Sequence, residues 1–144
     1  LDEAGGVLAG ARAEDGLGWA HSMRALLAGA GPDRVLAGSA TTIGVVATNA
    51  LLSKAQATQL ANQAHHGLAR AVSPITVNDG DSFFALATGD SGLSPDLSAL
   101  GALAAEAVAR AIRNAVRAAR SLAEPPLPAA GDMRAESAHP QTGR

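Results

Sequence analysis

Thr41-Thr42-Ile43-Gly44-Val45-Val46-Ala47-Thr48 is the stretch that decides the architecture. It is β-branched almost throughout and apolar at consecutive positions, the pattern of a central strand covered on both faces. Asn49-Ala50 ends it. Downstream, Ser53-Lys54-Ala55-Gln56 has the Ser-x-x-Gln form of a capping box and opens a helix over 53–72. Ala57, Leu60, Ala61, Ala64, Leu68 and Val72 recur every three or four residues and give that helix one buried stripe. Ser73-Pro74 stops it, Asn78-Asp79-Gly80-Asp81 forms a tight turn, and Ser82 to Thr88 reads as a second strand. Gly89 to Ser94 is another turn. Ser94-Pro95 then starts a long helix over 95–122, with Pro at the first position, where no amide donor is missed. Its buried face is read as Leu97, Leu100, Leu103, Ala104, Ala107, Val108, Ala111, Ile112, Ala115 and Val116. Two strands at 41–48 and 82–88, with helices covering a sheet, make the chain α+β or α/β.

Outside this core the signals weaken. Residues 1–40 are rich in Gly and Ala, with turns at Gly5-Gly6 and Gly29-Ala30-Gly31-Pro32. Between them Gly18 to Leu27 suits a short helix carrying Trp19, Met23, Leu26 and Leu27 on one face. From Glu124 the sequence turns Pro-rich and aperiodic, so 125–144 is expected to be a flexible tail. Aromatics are only 2% of the residues, which makes Trp19, Phe83 and Phe84 the expected packing anchors of an otherwise Ala- and Gly-filled interior.

Composition excludes several functions. A formal charge of −2 gives no electrostatic attraction for nucleic acid or an anionic membrane. With no cysteine there is no disulfide, thiol catalysis or zinc–thiolate site, which fits a cytoplasmic protein. No apolar run reaches the roughly 18 residues that span a bilayer. Leu1-Asp2-Glu3 reads as the interior of a longer sequence.

The join at Gly38-Ser39-Ala40-Thr41-Thr42 carries the first candidate chemistry. A small-residue turn leads straight into a buried strand that starts with hydroxyl residues. An internal Thr hydroxyl can attack the preceding carbonyl, and hydrolysis of the resulting ester frees the Thr amine. That amine can then act as general base for its own hydroxyl. The ordinary alternative is a turn before a Thr-rich strand. Asp79 and Asp81, one residue apart in a turn, can flank a cationic amine and tune it, or can simply be turn formers.

Other patterns are set aside on physical grounds. Gly89-Asp90-Ser91-Gly92 spells a chymotrypsin-like nucleophile motif, but it runs into a helix and lacks a convincing preceding His–Asp pair. His65 and His66 are neighbours on a helix and point roughly 100° apart, so they cannot chelate one metal together. His65 is read as a core or supporting residue. Arg110, Arg113, Arg117 and Arg120 form a stripe read as a solvated face, with Glu106–Arg110 an i,i+4 pair. No phosphate loop, metal constellation or cofactor motif is present in the sequence.

Thr41 to Asn49, Ser53-Lys54-Ala55-Gln56-Ala57, Ala64-His65-His66-Gly67-Leu68-Ala69-Arg70-Ala71, Asp79-Gly80-Asp81 and Phe84-Ala85-Leu86-Ala87-Thr88-Gly89 together resemble the P1 family of peptidases. That family includes D-aminopeptidase/esterases, β-aminopeptidases and nylon-oligomer hydrolases. The likeness covers about residues 41–89 in order, and is looser over 1–40, chiefly at Ala9-Gly10-Ala11-Arg12. It implies an α-β-β-α sandwich of the self-processing N-terminal-nucleophile type, present here as a fragment. Residues 1–40 would end the first (α) subunit and 41–124 would form the catalytic second (β) subunit.

The resemblance further implies Thr41 as nucleophile, the Ala40–Thr41 bond as the bond cut, and Asp79 and Asp81 as its polar neighbours. It implies no cofactor, a homo-oligomer, and substrates that are short peptides, amino-acid amides or esters, or ω-amino-acid oligomers. Two departures stand out: Ala40 replaces the Asn of nylon-hydrolase-like members, and His66 stands where Asp is usual. The family's oxyanion Asn would fall before Leu1, so the upstream part of the precursor is an expected partner. An ornithine acetyltransferase-like acyl transfer and a truncated, non-catalytic oligomerisation module are the alternatives.

Overall fold

The computed structural model describes residues 1–13, 18–29, 41–76 and 79–133. Its elements are α1 (Ser22–Leu27), β1 (Ile43–Thr48), α2 (Lys54–Ala71), β2 (Ser82–Ala87) and α3 (Leu97–Ala118). The chain divides into two compact units, Gly31–Ala111 and a second made of Leu1–Ala30 with Ile112–Arg144.

In the unit 31–111, β1 and β2 pair in parallel, with Ile43 opposite Ser82 and Thr48 opposite Ala87. Parallel strands need a crossover, and α2 supplies it. Ser53 caps α2 as the sequence indicates: its hydroxyl accepts from the Gln56 amide at 3.3 Å, while Gln56 Oε1 accepts from the Ser53 amide at 2.8 Å. The helix packs on the sheet chiefly against β2. Leu60 and Leu68 are fully buried, as is Ala64.

Gly44 faces the Phe83 ring across the sheet, and a Cβ there would stand inside that ring. Phe83 thus serves as an anchor. Phe84 does not, since it is 57% exposed.

Strand β1 departs from the expectation of two covered faces. Gly44, Val46 and Thr48 are half-buried, whereas Ile43 and Val45 are 72% and 64% exposed. Register sets Phe84 beside Val45 and Leu86 beside Ala47, so an apolar sheet face lies open among the described residues.

Helix α3 starts two residues later than Pro95 suggests. Asp96 is the capping residue: its carboxylate accepts from the Ser98 amide at 2.9 Å and its carbonyl from the Leu100 amide at 3.0 Å. An ionised side chain at this end also complements the helix dipole. The helix ends at Ala118 rather than near 122.

The buried face of α3 differs too. Gly101, Ala104, Ala105, Val108 and Ala109 are buried, while Leu103 is 67% exposed and Ala107 and Ala111 are exposed. The cause lies on the neighbouring helix. A Cβ on Gly67 of α2 would collide with the Ala105 carbonyl and come within 2.7 Å of Val108 Cβ. Backbones this close leave room only for small side chains, so the leucines are displaced to the flank. There Leu100 and Leu103, with Val46, Thr48 and Leu60, line a groove of about 340 Å³ along β1. Glu106 joins the helices by accepting from Arg70 and Arg110, each at 2.7 Å.

In the second unit, Asp2 organises a turn by accepting from the amides of Ala4 and Gly6 at 3.0 and 2.7 Å. The α3 arginines divide. Arg117 pairs with Glu3 at 2.6 Å, and its guanidinium holds that carboxyl down to about 2. Arg113, read from sequence as solvated, is only 7% exposed and donates to the Leu1 carbonyl at 3.0 Å. A helix start at Gly18 is corrected as well: α1 begins at Ser22, and Trp19 forms an isolated antiparallel bridge with Arg12. Part of the expected tail, up to residue 133, makes contacts of its own. Leu122 and Leu127 each donate an amide N–H to the other's carbonyl, the Ser121 hydroxyl donates to the Asp132 carboxylate, and Ala129 is buried. Residues 134–144 lie outside the described residues.

Candidate active site

Thr41 lies two residues before β1, exposed, at the edge of the described segment. Ala40, on the other side of the expected bond, is outside the described residues. Extending the parallel register by one pair beyond Ile43–Ser82 on the same face sets Thr41 opposite Gly80. The side chains agree with that alignment: a Cβ built on Gly80 would lie 3.0 Å from Thr41 Oγ1. The hydroxyl therefore rests above the one position of the turn that has no side chain, between Asp79 and Asp81.

Both carboxylates are half-buried and each is held by a different partner. Oδ1 of Asp81 accepts from the Thr42 amide at 2.7 Å, and the Ser82 amide donates to the Thr42 carbonyl at 2.8 Å. Thr42 is thus clamped at both peptide groups, which fixes the backbone immediately after Thr41. Asp79 is held from its own side of the turn. Its Oδ2 accepts from the Thr76 amide at 2.7 Å and from the Thr76 hydroxyl at 3.0 Å, and its amide donates to the Thr76 carbonyl at 3.2 Å. Gly80 and Thr76 are the residues that the sequence reading did not single out. Thr-x-x-Asp at 76–79 is the local signal that could have found the second.

The remaining candidates fall into structural places. Ser91 donates its hydroxyl to the Asn49 carbonyl at 2.8 Å and accepts from the Leu93 amide, so it ties together the loops that follow β1 and β2. The chymotrypsin-like tetrapeptide is a turn, with Gly89 and Gly92 at φ 77° and 65°. His65 meets the Phe83 ring edge-on at 5.5 Å, and His66 is exposed. With Asn62, Asp81 and Ser82 they border a hollow of about 430 Å³. Among the described residues no group of three His, Cys, Asp or Glu could hold a metal ion. None of the described helices is long and apolar enough to cross a membrane.

The model of peptidase family S58, the P1-type aminopeptidase family, matches residues 5–125. The chain belongs to peptidase family S58. Its family match takes in the loosely similar stretch before Thr41 as well as the strongly similar one after it, and it includes Asp79 and Asp81. Three similar proteins are uncharacterized aminopeptidases of Mycobacterium bovis, Mycobacterium tuberculosis and Mycobacterium leprae. The first two are 43% identical over 97 residues, covering 58% of this chain and 28% of theirs. The third is 44% identical over 97 residues, covering 58% of this chain and 27% of its own length. The chain therefore spans little more than a quarter of the length of these relatives.

Proposed function

We propose that the chain carries the catalytic part of a self-processing aminopeptidase or amidohydrolase whose nucleophile is Thr41. The observation that carries this reading is that the Thr41 hydroxyl lies 3.0 Å from where a Cβ on Gly80 would stand, between two carboxylates in sequence. A Thr at the start of an ordinary strand has no need of that clearance.

In the first stage Thr41 Oγ1 attacks the Ala40 carbonyl carbon. The C–N bond breaks, the hydroxyl proton passes to the departing nitrogen, and an ester replaces the amide. Water then hydrolyses the ester, leaving a carboxylate on Ala40 and a free amine on Thr41. In the second stage that amine takes the proton of its own hydroxyl as Oγ1 attacks the substrate carbonyl. The substrate's amine or alcohol leaves with a proton, and water releases the acyl group. Asp79 and Asp81 favour the ammonium that forms as the hydroxyl is deprotonated. Asp81 also keeps Thr41 in register through the Thr42 amide.

Residues 1–40 and 41–144 would fall on separate chains after cleavage, with 41–124 the catalytic part of the second. The exposed face of Ile43, Val45, Phe84 and Leu86 would receive the sequence that the longer relatives carry, completing an α-β-β-α sandwich. Substrates would be short peptides, amino-acid amides or esters, or ω-amino-acid oligomers, acted on by a cytoplasmic homo-oligomer. Family membership and the aminopeptidase names of the relatives support the reaction class. The test compares Thr41→Ala and Thr41→Ser in the full polypeptide on an amino-acid amide. Thr41→Ser should process and turn over, and Thr41→Ala should do neither. Hydrolysis by Thr41→Ala at the wild-type rate would refute the assignment.

A further inference from the structure

We propose that Thr76 is a positioning residue for the reaction, acting through Asp79. The inference rests on Thr41 being the nucleophile. Asp79 and Asp81 flank the same Gly80, but they are anchored in unlike ways. Asp81 is tied to the strand that carries Thr41, because its Oδ1 accepts from the Thr42 amide at 2.7 Å. Asp79 has no such tie among the described residues. Both donors to its carboxylate come from Thr76, and both go to one oxygen, Oδ2.

Two donors on one oxygen fix the rotation of a carboxylate far better than one does. They also leave Oδ1 of Asp79 accepting no bond among the described residues. An oxygen so left can receive an N–H from the amine that cleavage would create on Thr41. The Thr76 amide alone would anchor the turn, and it remains in any side-chain variant. The hydroxyl is the addition that sets the carboxylate plane. Thr76 is half-buried, so its bond to Asp79 is only partly weakened by solvent.

The experiment is a double-mutant cycle in the full, processed enzyme, with Thr76→Val and Asp79→Asn singly and together, plus Thr76→Ser as the conservative variant. Thr76→Val should lower kcat about tenfold, the lower end for a hydrogen bond to a charged group, with KM little changed. Thr76→Ser should stay within about twofold of wild type, since its hydroxyl can reach the same oxygen. In the Asp79→Asn background, Thr76→Val should cost almost nothing further, because contacting residues of one network are not additive. Thermal melts of the wild type and all four variants accompany the kinetics. Additive losses in the cycle, or a Thr76→Ser protein as impaired as Thr76→Val, would overturn the proposal and leave Thr76 a turn former. Should Thr76→Val unfold, the Thr76→Ser comparison with Thr76→Ala decides instead: equal kcat values for these two overturn it. An active Thr41→Ala protein would sink the nucleophile assignment itself, a separate failure from either of these.

Discussion

Replacing Gly80 by Ala separates the needs of the fold from those of the chemistry. Gly80 is not among the glycines with positive φ, so an Ala fits the backbone there. Removing a glycine's freedom from the unfolded chain stabilises a protein by about 0.4–1 kcal/mol. The new Cβ, however, would lie 3.0 Å from Thr41 Oγ1, short of the 3.4 Å at which ordinary contact begins. The hydroxyl must yield by about 0.4 Å, and misplacing a reacting atom by 1 Å costs roughly 10²-fold, so about a sixfold loss of kcat follows. Turnover of an amino-acid amide and a thermal melt, measured on the same preparation of the full polypeptide, give both quantities. A Gly80→Ala enzyme at least as stable as wild type but about sixfold slower is the expected result. Wild-type kcat would mean that the hydroxyl does not work from above Gly80.

Asp81→Asn keeps an oxygen for the Thr42 amide, so folding should hold while turnover falls on the order of 10²-fold, as for one positioned proton-handling group. A negative charge beside the Thr41 amine raises its pKa and activity needs that amine neutral, so in Asp81→Asn the rising limb of the kcat–pH profile should move to lower pH. Undiminished activity, or an unmoved limb, would reduce Asp81 to a turn former. Gly67→Ala should destabilise the fold by about 2 kcal/mol even though Ala is the better helix former, because overpacking outweighs propensity where two backbones meet. Denaturant titration checks it, and a stabilised variant would mean that α2 and α3 do not pack as described.

Much of the topology was legible because its causes are local. β-branching at 41–48 and the Ser53–Gln56 box act within a few residues, and β1 and α2 lie where those signals put them. The face of α3 was not legible, since periodicity reports an apolar stripe but not which neighbour presses on it. The close approach at Gly67 is set by a residue some forty positions away, and it turns Ala105 and Ala109 inward and Leu103 outward. Arg113 was misplaced for a related reason: its carbonyl partner belongs to Leu1, at the other end of the chain.

At the candidate site, the family resemblance suggested Thr41, Asp79 and Asp81, whose types suit the proposed chemistry. It could not say that Asp81 reaches across to Thr42 or that Asp79 turns back to Thr76, because nothing in Asp-Gly-Asp distinguishes its two carboxylates. Gly80 read as a turn glycine. Its clearance for the Thr41 hydroxyl exists only once the two strands lie in register.

Amino-terminal sequencing with intact mass measurement of the full polypeptide, wild type beside Thr41→Ala, tests self-processing at Thr41 most directly. The wild-type protein should yield a chain that begins at Thr41 and a partner that ends at Ala40, and Thr41→Ala should remain whole. A wild-type enzyme that hydrolyses its substrate with the Ala40–Thr41 bond intact would contradict the account, as would a Thr41→Ala protein cut at that bond.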